Sequence, residues 1–204
     1  MTSVTPRKPA EVRRGWIVVG IVFVNLAMVY GIWYSYSVFL VAFLREFGWS
    51  RSAVAGAFSL FVIVHGALGP LNGWLIGRVG ARRIILAGGW VLGAALLLMA
   101  ESSAWWHVYL AFGCLAGIGV AGAGWLPSVL VVRGWFPDRV GAALGVASAG
   151  IGIGIAGLVP VAQLLVDSVG WRWACRILGL AVAGWVVPAT ALALRNPPPA
   201  MPVA

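Results

Sequence analysis

Charged residues divide this chain into six long uncharged stretches, at residues 16–44, 53–77, 84–100, 108–132, 140–166 and 177–194. The longest holds 29 residues and the shortest 17. About 20 apolar residues, each rising 1.5 Å, cross a ~30 Å hydrocarbon layer, so each stretch predicts one transmembrane helix, the third and sixth only just. Strands of a membrane barrel would instead alternate apolar and polar positions over ~10 residues, and these runs are unbroken. The connections, at 45–52, 78–83, 101–107, 133–139 and 167–176, leave no room for an inserted soluble domain.

Composition agrees with the pattern. The chain is 62% hydrophobic and 9% charged, with a mean hydropathy of +0.99, against about 45–50% and about 25% in soluble domains. A water-exposed globule is excluded, and so is a disordered chain, which needs low hydrophobicity and dense charge. The net charge of +9 does not imply nucleic acid, because the cations are scattered between apolar runs and not gathered on one face. Cys114 and Cys175 lie within or beside apolar segments and form no CxxC pair, so neither a metal site nor a disulfide framework follows. No cofactor is implied.

Charge also sets an orientation. The leading stretch 1–15 has four cations and precedes 29 uncharged residues, too many for the ~7–15 of a signal-peptide core, so it reads as the tail before a retained span. With that tail in the cytoplasm, Arg7, Lys8, Arg13, Arg14, Arg78, Arg82, Arg83, Arg133, Arg139 and Arg195 share one side, and only Arg45, Arg51, Arg172 and Arg176 reach the other. The positive-inside rule then places both termini in the cytoplasm. The expected organisation is a tail over 1–15, a six-helix bundle over 16–194 and a second tail over 195–204, in a bacterial inner membrane.

A repeat lies beneath the spans. At an offset of ninety, Trp16 aligns with Trp106, Val18 with Val108, Pro70 with Pro160, Val79 with Val169, Gly80 with Gly170 and Arg82 with Arg172. Units of about 16–100 and 106–194 each hold three helices, so the second enters the membrane from the opposite side, an inverted 3+3 arrangement. Coincidence in a small apolar alphabet is the alternative. Glycines recur at four-residue spacing: Gly69, Gly73 and Gly77; Gly89 and Gly93; Gly113 and Gly117; Gly141 and Gly145; Gly150 and Gly154. Lipid gives helices no hydrophobic reason to associate, so such small faces let backbones approach instead. On this basis the second, fourth and fifth helices are expected to pack most closely, with Gly69, Pro70, Gly145, Gly150 and Gly154 shaping the contacts.

The segment Gly73-Trp74-Leu75-Ile76-Gly77-Arg78-Val79-Gly80-Ala81-Arg82-Arg83 resembles the signature loop of the major facilitator superfamily, G-x-L-x-D-R-x-G-x-R-R. The wider chain resembles its monocarboxylate and oxalate:formate branch: Gly15-Trp16, Tyr30-Gly31, Ser35, Val38-Phe39, Phe47-Gly48-Trp49-Ser50, Gly69-Pro70, Trp135-Phe136, Arg139, Ala143, Gly145, Ala147 and Gly150. The resemblance implies an all-α membrane protein equivalent to the amino-terminal half of a twelve-helix fold. It implies alternating-access transport of a small organic anion such as a monocarboxylate, with a proton or in exchange, beside a second six-helix half. Three features depart from it. Gly77 stands where the family has an acid, Tyr34 where animal members of the branch carry a basic residue, and six helices where there are twelve.

No Lys, Arg, Asp or Glu falls within a stretch, as expected when a charge at the bilayer centre costs ~2.5 kcal/mol or more. His65 is the one side chain deep in a span that titrates near neutral pH, and so is a candidate proton carrier or substrate donor. A neutral histidine bonded to a neighbouring helix is the plainer reading. At 100° per residue Tyr30, Trp33 and Tyr34 share a face of the first helix. Such a wall of aromatic hydroxyls suits a small, partly apolar substrate. Trp125 and Ser128, in the fourth helix, complete the candidate substrate set of Tyr30, Tyr34, His65, Trp125 and Ser128. Trp16, Trp49, Trp105, Trp106, Trp135, Trp171 and Trp173 sit at helix ends, where such rings settle at headgroups.

Enzymatic readings fare poorly. Asp138 and Asp167 fall in loops on opposite sides, so no aspartate pair meets at membrane depth. Gly150-Ile151-Gly152-Ile153-Gly154 continues into apolar residues and not into a phosphate-binding Lys. The expected function is transport, and the alternative is a truncated or non-transporting six-helix protein that serves as a remnant or an interaction partner.

Overall fold

The computed structural model describes residues 9–194, with side chains from residue 12. The expected tail at 195–204, and residues 1–8 of the leading one, lie outside the described residues. The remainder of the leading tail is helical, because α1 runs from Pro9 to Phe47. α2 spans Arg51–Val79, α3 Ala81–Ala100, α4 Trp105–Trp135, α5 Val140–Val169 and α6 Trp171–Ala193. All six are long and apolar enough to cross a membrane.

The helices outrun the apolar stretches because ion pairs accommodate charge at their ends. α6 begins at Trp171 and not at 177. Arg172 bonds the Glu46 carboxylate, and Arg176 lies 2.6 Å from Glu101. Two connections shrink to a single residue. Gly80, at φ 87° and ψ 146°, ends α2 with its N–H on the Ile76 carbonyl, and Gly170, at φ 83° and ψ 158°, ends α5 with its N–H on that of Val166. Only glycine enters this region without a Cβ penalty. The same turn recurs ninety residues later, and each helix after it carries an arginine at its second position.

Packing follows the same repeat. α1 lies along α5, α2 along α4, and α3 along both α6 and α4. A shift of ninety residues turns the α1–α5 pair into α4–α2 and returns α3–α6 to itself, which coincidental sequence matching does not explain. Small residues set the closest approaches. A Cβ at Gly150 or Gly154 would collide with the α1 backbone at Phe23 or Ala27, and one at Gly93 would stand 2.8 Å from the Ala183 methyl. Gly113 and Gly117 seat Leu60 and Val64 of α2. Of the second, fourth and fifth helices, expected to pack most closely, α2 and α4 do lie together, but the expectation is corrected for α5, which rests mainly on α1 and meets α4 only along Trp125–Trp135. Four-residue glycine spacing marks a small face without saying what meets it.

The core is an aromatic and aliphatic seam. Tyr36 stacks on Phe112 at 4.0 Å between centroids, Phe61 on Phe112 at 4.9 Å, and the Tyr36 hydroxyl donates to the Val54 carbonyl at 2.6 Å. Tyr36, one of the polar residues of the first helix, is therefore bonded internally. Asn25 donates through Nδ2 to Thr190 Oγ1 at 3.1 Å, joining α1 to α6.

Candidate functional site

Helical geometry brings three elements to one cavity. On α1, Tyr30 stacks on Trp33 at 5.3 Å, and Trp33 on Tyr34 at 5.7 Å, as their shared face requires. On α2, His65, Gly69 and Asn72 follow at i, i+4 and i+7, again one face. α4 contributes a break. Its backbone is π-helical over Tyr109–Ala116 and α-helical over Gly117–Ala123, stops at Gly124 and restarts as Trp125–Trp135. Pro127 is the physical cause, since it has no N–H for the Ala123 carbonyl and its ring crowds that carbonyl.

The resulting cavity, of ≈ 180 Å³, has Tyr30, His65 and Asn72 as its polar wall and Gly69, Ala121, Trp125 and Leu126 as the remainder. Among the described residues, no charged side chain lines it. His65 is held by rings, 4.9 Å from Trp33 and parallel to Phe61 at 6.0 Å, and its Nδ1 is buried without a hydrogen-bond partner among the described residues. The nitrogen of Trp33 is likewise buried and unpaired among them.

Of the five residues expected to meet substrate, the structure brings Tyr30, His65 and Trp125 together. Tyr34 stands one turn along α1, 48% exposed. Ser128 is buried and turns back on its own helix, donating to the Gly124 carbonyl at 2.7 Å. Asn72 was missed by sequence reasoning, although its seven-residue spacing from His65 was the signal that places it on the same wall.

The signature segment surrounds the end of α2. Gly73 and Gly77 face open space, Arg78 lies over the Trp74 ring with Cζ 4.1 Å from its centroid, and Arg83 is exposed. Arg82 donates to the Thr190 and Ala191 carbonyls in the last turn of α6, where a cation meets the negative end of the helix dipole. Ninety residues on, Arg172 donates to the Ser102 carbonyl just past α3. The α3–α6 pair is thus clasped at both ends.

A Cβ at Gly77 would meet nothing within 4 Å, so the absent acid of the signature was not lost to crowding. Gly77→Ala is expected to raise stability by about 0.4–1 kcal/mol through reduced freedom of the unfolded chain, read as a higher thermal midpoint in detergent. A lower midpoint would mean that the open face is occupied.

Six membrane-length helices, built as two three-helix units beside a polar cavity, define a multi-pass membrane protein with the architecture of half a carrier. The model of the Major Facilitator Superfamily matches residues 22–204, and the chain belongs to that superfamily of transporters. It is 34% identical over 165 residues to monocarboxylate transporter 3 of Rattus norvegicus, covering 81% of this chain and 34% of that protein. It is also 29% identical over 180 residues to monocarboxylate transporter 2 of Homo sapiens, covering 88% and 37%. With monocarboxylate transporter 11 of Homo sapiens it shares 31% over 207 residues, covering 98% and 44%. The chain thus spans well under half the length of these curated relatives. All three are mammalian, so the bacterial inner membrane expected from the sequence draws no support from them.

Proposed function

We propose that the chain forms the amino-terminal half of an alternating-access carrier for a small organic anion of the monocarboxylate class, moved with a proton or in exchange. Both termini lie on the cytoplasmic side, and a second six-helix unit, whether a copy of this chain or another sequence, completes the site. The names of the relatives support the substrate class. The observation that carries the reading is the position of the cavity at an uncovered face. Gly69 lines the cavity, yet a Cβ there would meet nothing within 4 Å. The same holds for Gly66, Gly73 and Gly77 on α2 and for Gly141, Gly145 and Gly152 on α5, and these two helices are the least buried of the six. Small residues give lipid little to pack against but let another helix approach closely.

The test is uptake of radiolabelled lactate into proteoliposomes. Gly73→Leu and Gly145→Leu are expected to leave stability within about 0.5 kcal/mol of the parent, as substitutions on an open surface do, while cutting uptake at least tenfold by keeping the second unit away. Undiminished uptake by both variants would refute the two-unit arrangement.

A further inference from the structure

Among the described residues, no cationic side chain lines the cavity of the anion site proposed above, and the break in α4 supplies a different kind of positive group. A helix start leaves backbone N–H groups without intrahelical acceptors and carries the positive end of the helix dipole. Such a terminus facing a cavity is a ready site for an anionic group, including in broken membrane helices. Here the helix Trp125–Trp135 begins at the cavity wall, with Trp125 and Leu126 as its first two residues. Pro127 has no N–H to offer, so the donors of this turn are those of Trp125 and Leu126.

Two further observations point to a ligand. Asn72 is only 8% exposed, lines the same cavity, and has no hydrogen-bond partner among the described residues. Its amide opens into the cavity and is not sealed from it, so a ligand there can reach it. Tyr30, whose ring stacks on Trp33, presents its hydroxyl beside the same helix start. Gly124 holds this geometry open, because a Cβ there would stand 2.5 Å from the Val120 carbonyl oxygen and 3.6 Å from the Tyr30 hydroxyl.

We propose that the first turn of the Trp125–Trp135 helix is the carboxylate-binding element of this chain. The Leu126 N–H, the Tyr30 hydroxyl and the Asn72 amide donate to one carboxylate, and the apolar remainder of the anion rests on Ala121 and the Trp125 ring. This rests on the organic-anion reading and adds to it that neutral donors and a helix terminus in this half recognise the charge. A carboxylate is preferred over a neutral amide of the same shape because the terminus is a fixed partial positive charge.

The test is equilibrium binding of radiolabelled pyruvate to the full chain in lipid nanodiscs, with acetamide and acetate as competitors. Asn72→Asp sets a like charge against the ligand, and Leu126→Pro removes one N–H at a helix position that tolerates proline. Each is expected to weaken pyruvate binding at least tenfold. Asn72→Leu, which loses the donor without adding charge, is expected to weaken it three- to tenfold and serves as the control should Leu126→Pro fail to fold. Acetate should compete and acetamide should not. Parent-like pyruvate binding by Asn72→Asp and Asn72→Leu would overturn this site and leave the organic-anion reading standing. Equal competition by acetate and acetamide would overturn the role of the helix terminus. Failure of the parent chain to bind either pyruvate or acetate would overturn the site as a property of this half, and lactate uptake by the assembled carrier would then decide the organic-anion reading separately.

Discussion

Replacing Gly154 by leucine is expected to cost the bundle about 3 kcal/mol or more, the upper range for forcing bulk into a packed interface. The position it would fill is already taken by the Ala27 backbone of α1. Backbone cannot turn aside as a side chain can, so α1 must separate from α5 along the neighbouring turns, where Gly31 meets Leu158 and the Gly154 carbonyl. Gly152→Leu is the internal control. It lies two residues away on the same helix but opens on free space, and should leave stability within about 0.5 kcal/mol. Thermal unfolding in mild detergent reads both, and equal midpoints for the two variants would contradict the α1–α5 packing.

The second large effect is expected from Phe112→Ala, at about 3–5 kcal/mol. Phe112 is almost wholly buried in the seam where Tyr36, Phe58 and Phe61 converge from α1 and α2. Its loss leaves a cavity between α4 and both partners. Trp90→Ala removes a larger ring from a position that is 61% exposed, and should cost under about 1 kcal/mol. A scan in which Trp90→Ala is the more damaging variant would mean that the outer face of α3 is covered by protein and not by lipid.

Much of the fold was legible because lipid constrains a sequence so strongly. Charge alone divided the chain into its helices, and the Val-Gly-x-Arg pairs at Gly80 and Gly170 marked two turns of the same shape. The shared face of Tyr30, Trp33 and Tyr34 followed from helical periodicity alone. Helix ends were misjudged where a charge finds a partner, as Arg172 does in Glu46, since a single chain gives no hint of a residue 126 positions away. The interruption of α4 was half visible in Pro127, but a proline kinks some membrane helices and only bends others. Ser128 stood within the same break, yet its hydroxyl was drawn to the Gly124 carbonyl that the break exposed. Asn72 is indistinct in the sequence because it lies immediately before the signature segment, whose glycines and arginines dominate the local pattern.

The two arginine clasps give α3 and α6 a mechanical character unlike that of the other helices. Tied at Arg82 on one rim and Arg172 on the other, and interlocked between them at Gly89, Gly93 and Gly179, they form a strut that resists both sliding and splaying. Flexing must therefore be confined to α1, α2, α4 and α5, and amide protons along α3 and α6 should be the slowest in the molecule to trade with heavy water.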